Sequence, residues 1–100
     1  MNLVTTNKRN INNQRVFKEV DDFMMEVFGT LSIYWHVPDH RDQFVDMVDM
    51  WMEQWAVENG KIIQYDVRCV QPSDNKIIFT LKYRQKNCFN TSVIEYVFEL

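Results

Sequence analysis

Apolar residues recur along this chain with a helical period in its first half and with strict alternation in its second half. From Val16 to Phe28 they return every three or four residues, which predicts an amphipathic helix capped by Asn12 or Asn13 and ended by Gly29. A second such stripe predicts a helix from about residue 39 or 40 to 58, ended by Asn59-Gly60. The predicted stripes are Val16, Phe17, Val20, Phe23, Met24, Val27 and Phe28, then Phe44, Val48, Trp51, Met52 and Trp55.

After Gly60 apolar and polar residues alternate, which is typical of β-strands with one buried face. The pattern predicts strands over 61–70, 76–84 and 93–100, with a turn at residues 72–75 and a polar loop at 85–92. Residues 30–37 are predicted to be a short extended link between the helices. The predicted buried faces are Ile63, Tyr65, Val67 and Cys69, then Ile77, Phe79, Leu81 and Tyr83, then Ile94, Tyr96, Phe98 and Leu100.

This order of elements predicts an α+β domain, with two helices packed on one face of a small, mainly antiparallel three-stranded sheet. Residues 14–100 would form the domain. Residues 1–13 are polar and rich in asparagine, and we expect them to be an arm that is extended or disordered in the free protein. Leu3, Val4 and Ile11 are its only apolar anchors. Arms and terminal strands are the segments most easily donated to a neighbouring sheet.

Charge is distributed unevenly over the 100 residues, whose net charge is −3. Residues 1–20 carry a net +3, residues 21–59 a net −8 and residues 60–100 a net +2. This asymmetry favours head-to-tail contact between copies or docking on a charged partner, although the acidic block could equally be one solvated helix face. The chain has no apolar run long enough to cross a membrane and no signal-peptide pattern, and its two cysteines are expected to be free thiols.

The residues that could carry catalysis or hold a metal are not arranged for either. His36 and His40 lie near acidic residues, but Pro38 interrupts the spacing, so a surface turn is the better interpretation. Cys69 and Cys88 have no base at a suitable spacing. The sequence has no glycine-rich phosphate loop and no nucleophile elbow. We therefore expect a protein that is not an enzyme and that needs no cofactor or metal; an acid-rich accessory domain of an enzyme ranks last.

Two charged surfaces are better candidates for partner binding. Asp42, Asp46, Asp49 and Glu53 share one face of the second helix, opposite its apolar stripe, and should be exposed. Lys82 and Arg84, with Arg68, Lys76 and Lys86, give the hairpin a basic face near Tyr83 and Phe89. That face could contact nucleic acid, or it could meet the acidic helix of a partner. The tryptophans are predicted to be core residues, with burial in an interface as the alternative.

The second helix and the β half together carry a resemblance. The helix from Phe44 runs through Trp51 to Gly60 into the strand Tyr65-Asp66-Val67-Arg68-Cys69. A polar turn with Asn75, an alternating strand from Ile77 to Tyr83 and a closing apolar strand from Ile94 to Leu100 follow. This order and spacing resembles the C-terminal domain of the sheath proteins of contractile bacteriophage tails, over roughly residues 14–100. A full sheath protein is several times longer, so we expect a complete small tail protein.

The resemblance implies a structural protein of the phage tail that assembles by β-strand exchange between subunits. Within that class it implies a sheath initiator, which links the baseplate to the first sheath ring. The sheet would be extended by a strand from a neighbouring subunit, with residues 1–13 as the donor arm. Strand 93–100, whose other face carries Val93, Glu95 and Val97, would be the closing strand or a second donor. The implied partners are tail sheath and baseplate proteins, with the tail tube as a further candidate, in a ring within the virion that is assembled in the host cytoplasm. The alternative is a small phage-encoded binding module for nucleic acid or a host protein.

Overall fold

The structure, a computed structural model, describes residues 2–31 and 38–99. Its elements are strand β1 (Asn2–Arg9), helices α1 (Gln14–Leu31) and α2 (Pro38–Asn59), and strands β2 (Ile62–Ser73), β3 (Lys76–Gln85) and β4 (Ser92–Glu99). Of the predicted link, residues 30–31 belong to α1 and residues 32–37, with Trp35 and His36, lie outside the described residues. Leu100 also lies outside them, as does the side chain of His40.

The strands form one antiparallel sheet in the order β1-β4-β3-β2. The predicted α+β class is confirmed, but the sheet has four strands in the described residues rather than three. The fourth strand is β1, which the chain supplies from its own N-terminal arm and pairs with β4. The sequence did not indicate this strand because its residues are polar and do not alternate; an edge strand is held by backbone hydrogen bonds and needs no apolar face.

The ends of the helices follow local backbone chemistry. The Asn13 side-chain oxygen accepts hydrogen bonds from the backbone N–H groups of Arg15 (2.9 Å) and Val16 (3.1 Å), which confirms the predicted N-cap of α1. Gly60 has a φ of +60°, a conformation that favours glycine, and it follows the last residue of α2 as predicted. Gly29 does not end α1, because the helix continues to Leu31. A single glycine inside a helix costs only about 1 kcal/mol, which packing can offset.

The core lies between the helices and one face of the sheet. Both predicted helix stripes contribute to it, and Val20, Phe44, Val48 and Met52 are fully buried. The Phe28 ring contacts rings of α2, β3 and β4, with centroid distances of 4.7–5.3 Å to Phe44, Phe79, Tyr96 and Phe98. Burying a large apolar side chain stabilises the fold by about 1.5–3 kcal/mol, so this cluster holds the two layers together.

Trp51 and Trp55 are half-buried beside this core rather than inside it. The Trp51 ring stacks on Phe23 of α1 at 3.9 Å between centroids, and on Trp55 at 5.2 Å. The Lys61 ammonium lies 5.7 Å from the centre of the Trp55 ring and pairs with Glu19 at 3.3 Å. These contacts join the start of β2 to both helices.

The predicted face of β2 is wrong at its first residue. Tyr65, Val67 and Cys69 face the helices as predicted, but Ile63 is 51% exposed and Ile62 is buried instead. The register with β3 is irregular between Ile62 and Gln64. An extra residue in a strand reverses the faces of the residues that precede it. The alternation that holds from Tyr65 to Cys69 therefore does not extend back to Ile63.

The other face of the sheet carries no helix among residues 2–31 and 38–99. The side chains of β3 and β4 alternate strictly between the two faces of the sheet. The odd-numbered residues of β3 and the even-numbered residues of β4 are buried under the helices. The remaining side chains point away from the helices and form what we call the open face. Both α-helices thus lie on one side, and the sheet has one side available for contact.

Candidate subunit interfaces

Strand β1 is the most exposed element of the described chain. All eight of its residues are exposed, and it lies at the edge of the sheet with β4 as its strand partner. Of the predicted anchors, Leu3 is 39% exposed opposite Phe98, and Val4 is 52% exposed at an irregularity of the register. Ile11 follows the strand and packs, half-buried, against the core. The arm therefore places Ile11 in its own domain and leaves Leu3 and Val4 in contact with solvent.

Few side-chain contacts hold β1 in place. The Lys8 ammonium lies 4.6 Å from the centre of the Phe17 ring on α1. The Asn7 amide donates to the Glu95 carboxylate at 3.3 Å on the open face. Both contacts are exposed and polar, so the antiparallel ladder with β4 provides most of what binds this strand.

The junction between β1 and α1 is tied more firmly than the strand itself. Asn10 has a φ of +56°, which turns the chain from the sheet towards α1. The Ser92 hydroxyl, which is fully buried, donates to the Asn10 carbonyl at 2.7 Å. The Asn12 amide donates to the Asn90 carbonyl at 3.2 Å. This junction is a natural pivot for β1, since it would remain attached if the strand left its place.

The structure brings five of the predicted partner-binding residues together on the open face. Lys82 and Val93 are register partners, as are Thr80 and Glu95, and Ile78 and Val97. Arg84 follows Lys82 on the same face of β3. The open face consequently has an apolar centre at Ile78 and Val97, with charged residues on both sides of it.

The basic part of the open face lies at the hairpin between β3 and β4. A shallow hollow of about 500 Å³ is lined there by Gln64, Tyr65, Asp66, Lys82, Tyr83, Arg84 and Thr91. Among the described residues, no carboxylate lies within 4 Å of the cationic nitrogens of Lys82 or Arg84. The Arg84 Nε atom is enclosed and has no hydrogen-bond partner. The exposed Lys82 ammonium is therefore available to an external anion, whereas the Nε atom of Arg84 is not.

Beyond this hollow, Phe89 is 99% exposed. It lies in the loop that follows β3, where Lys86 is also exposed. We call Lys82, Arg84, Lys86 and Phe89 the basic tip. The sequence places Phe89 near the basic hairpin, but its complete exposure depends on how the loop leaves the sheet, and no local pattern reveals that.

The acidic stripe of α2 is on the surface, as its spacing predicts. Asp42, Asp46, Asp49 and Glu53 are all exposed, and among the described residues none of them is in an ion pair. Met47 and Met50 lie beside the stripe and are 45% and 62% exposed. We call Asp46, Asp49, Met50 and Glu53 the acidic helix patch. Like the basic tip, it combines several charges of one sign with an exposed apolar side chain.

The acidic stripe also lies along β2, whose outer edge has no strand partner in the described chain. Burial raises the pKa of the Tyr65 hydroxyl on β2, and the negative charges of Asp49 and Glu53 raise it further. A groove of about 430 Å³ lies nearby, lined by Asp42, Val45, Asp46, Arg68, Cys69 and Val70. The negative field of α2 therefore extends over this edge of the sheet.

Inside the domain, one polar pair was not anticipated from the sequence. The Tyr96 hydroxyl, on the buried face of β4, donates to the Asp21 carboxylate of α1 at 2.8 Å. Burial and this hydrogen bond raise the pKa of Tyr96 far above its usual range. The pair fixes α1 on β4 beside the β1 ladder, and it has the role of a structural contact rather than a catalytic one.

Metal-binding groups and membrane-spanning helices are both absent from the described residues. No group of three or more histidine, cysteine or acidic side chains among them is placed to hold a metal ion. Within the same residues, neither helix is long and apolar enough to cross a bilayer. What the described surface presents is an exposed edge strand and two patches of opposite charge.

Comparison with known proteins identifies no relative: no family model, no curated protein and no solved structure matches this chain.

Proposed function

We propose that this chain is a structural, non-enzymatic subunit of a contractile phage tail, and that its copies assemble by exchanging strand β1. In this proposal it acts as a sheath initiator between the baseplate and the first sheath ring, within the virion that assembles in the host cytoplasm. Sheath and baseplate proteins are its partners. The resemblance of roughly residues 14–100 to the sheath domain supports the assignment to a tail, and the exposed edge strand supports the mode of assembly.

The observation that carries strand exchange is the position of β1. An edge strand whose eight residues are all exposed buries little of its own surface, so its departure costs the core little apart from the ladder with β4. The same ladder can form with β1 of a second copy, because backbone hydrogen bonds do not distinguish between copies. Exchange therefore replaces each lost hydrogen bond with an equivalent one and connects the subunits by a continuous chain.

A tail sheath must keep its subunits connected while they move. The segment from Asn10 to Asn13 is suited to this, because it is anchored by Ile11, by the α1 cap and by two hydrogen bonds to the β4 end of the sheet. If β1 is seated in a neighbour, this segment becomes the hinge between the two domains. Rigid domains can then slide against each other without breaking the chain connection.

Removal of β1 tests this proposal. We delete residues 2–9 and keep residues 10–13, so that Ile11 and the Asn13 cap are preserved. The expected product is folded but forms none of the rings, tubes or discs that the intact chain forms in negative stain, alone or with its sheath partner. A synthetic peptide of residues 2–9 should bind the truncated protein and not the intact one. Assembly of the truncated protein to the same particles would show that β1 is not the exchanged strand.

The basic tip favours a second candidate function, a binding module for nucleic acid or for a host protein. Exposed cations beside an exposed aromatic ring can contact phosphates and stack on bases. Binding of this kind weakens steeply as salt increases. A mobility shift with single-stranded DNA or RNA that disappears when Lys82 and Lys86 are neutralised would favour this function over the tail subunit.

A further inference from the structure

The most unusual surface residue in the described chain is Phe89. The Phe89 side chain is 99% exposed, so the fold buries almost none of its apolar surface. Aromatic side chains are enriched among the residues that contribute most of the binding energy in protein interfaces. It is close in sequence to the exposed Lys86 and to Thr91, which lines the hollow that contains Lys82 and Arg84. An exposed apolar anchor in a basic part of the chain is suited to an acidic surface with an apolar centre.

The acidic helix patch is such a surface, on the same chain. Met50 is 62% exposed and has Asp46, Asp49 and Glu53 around it. Methionine is a flexible side chain that makes favourable contacts with aromatic rings, so Met50 can adapt to an inserted phenyl group. Met50, Glu53, Gln54 and Glu58 also line a hollow of about 380 Å³, which gives the ring a place to enter.

We propose that the basic tip of one copy docks on the acidic helix patch of a second copy. Phe89 enters beside Met50, and Lys82, Arg84 and Lys86 face the carboxylates of Asp46, Asp49 and Glu53. The two sets of charges have similar spacings. Alternate residues of a strand such as Lys82 and Arg84 are about 6.8 Å apart, and residues four apart on a helix such as Asp49 and Glu53 are about 6 Å apart.

The contact joins two different surfaces of the chain. The basic tip belongs to the open face of the sheet, and the acidic helix patch belongs to the helix layer. Two copies can therefore make the contact twice, as a two-fold pair, or once per neighbour, as a closed ring or an open filament.

This inference goes beyond the proposed function, because the docking does not require β1 to leave its own sheet. It adds a second interface between copies, one based on charge and on a single aromatic anchor. Since β1 and the two patches share no residue, the two interfaces can be tested separately.

Two charge-reversed full-length variants test the docking. Both variants, and the unmodified protein with which they are compared, carry the N7C/E95C disulfide, which holds β1 on its own β4 and so prevents strand exchange. K82E/K86E makes the basic tip acidic, so that both docking surfaces of that variant are acidic. D49K/E53K makes the acidic helix patch basic, so that both docking surfaces of that variant are basic. All four positions are exposed, so the fold should be unaffected, which circular dichroism checks. We expect the unmodified protein to self-associate in sedimentation velocity runs up to about 1 mM, and each variant alone to associate at least about tenfold more weakly. An equimolar mixture of the two variants should associate again, because it pairs acidic surfaces with basic ones.

Three controls complete the test. K76E reverses a charge at the far end of the open face and should leave association unchanged. F89S should weaken association while the variant remains soluble and folded. A cysteine pair that locks β1 to β4, N7C/E95C, should leave the docking intact in its oxidised form, which separates this interface from strand exchange.

The proposal is overturned if the unmodified protein stays monomeric over the whole range, if the charge-reversed variants associate as it does, or if their mixture stays monomeric. It is also overturned if K82E/K86E loses binding to a single-stranded oligonucleotide but keeps its self-association, since the basic tip would then be a nucleic-acid site.

Discussion

Locking strand β1 to its own sheet should stabilise the monomer and prevent exchange. Asn7 and Glu95 are register partners whose side chains already meet at 3.3 Å on the open face, so N7C/E95C introduces a disulfide at a position where the strands are adjacent. The closed loop would span about 89 residues. Its loop-closure entropy corresponds to about 4.6 kcal/mol of stabilisation as an upper value, and engineered disulfides commonly give about 2–4 kcal/mol.

For a domain of this size that range corresponds to a rise in Tm of about 10–20 °C. The assay compares thermal unfolding of the same variant oxidised and reduced, with N7C alone as the matched control for loss of the Asn7 hydrogen bond. Negative-stain images of the same samples detect the rings, tubes or discs that strand exchange produces, which the disulfide should suppress and reduction should restore.

Either of two results would refute the reasoning. If oxidation leaves the Tm unchanged although the disulfide has formed, β1 is not paired with β4 in solution. If the oxidised protein assembles into the same particles as the reduced protein, assembly does not require β1 to change partners. The first result contradicts the strand pairing and the second contradicts the exchange.

Two further predictions concern the stability of the domain. Asn13→Ala removes the acceptor for two backbone N–H groups of α1 and should lower the free energy of unfolding by about 1 kcal/mol in urea. Gln14→Ala, at an exposed position of the same helix turn, should be nearly neutral as its control, and equal effects would contradict the capping role. Tyr96→Phe should cost about 1.5–3 kcal/mol at pH 7, because the hydroxyl donates to a carboxylate. Since the fold raises the pKa of Tyr96 above the usual 10.0, the stability it provides is complete below pH 10 and declines above it. Tyr96 should lower the free energy of unfolding by about 1.4 kcal/mol between neutral pH and pH 11, and Tyr96→Phe should abolish this decrease. If the variant and the unmodified protein have the same pH profile of stability, Tyr96 is not buried in its neutral form.

The periodic parts of the chain could be predicted and the irregular parts could not. The buried faces of α1, β3 and β4 follow directly from spacing, because each element buries one continuous stripe from end to end. The start of β2 could not be predicted, since a register irregularity moves Ile62 into the core in place of Ile63. Gly29 is a similar case, because a glycine can lie inside a helix as well as at its end.

The candidate interfaces were predictable to different degrees. Lys82 and Arg84 share a face because both lie on one regular strand, and the acidic residues of α2 share a face for the same reason. That Lys82 stands next to Val93 follows from the pairing of two strands, which the sequence of each strand alone does not specify. The exposure of Phe89 depends on the path of a loop. The pairing of β1 depends on backbone N–H and C=O groups, which nearly every residue has, so neither feature could be predicted from the sequence.

The pairing of β1 with β4 also has a consequence for how the protein is made. Asn2 and Glu99 are register partners at opposite ends of the described chain. At the usual pace of translation, β4 leaves the ribosome about 5–20 s after β1. During that interval β1 has been synthesised and its acceptor has not, while the finished copies from neighbouring ribosomes on the same message already contain a β4, whose edge is exposed whenever their own β1 leaves it. The first acceptor that a new β1 meets can therefore belong to an older copy, so that dense translation of one message would itself promote linkage between successive chains.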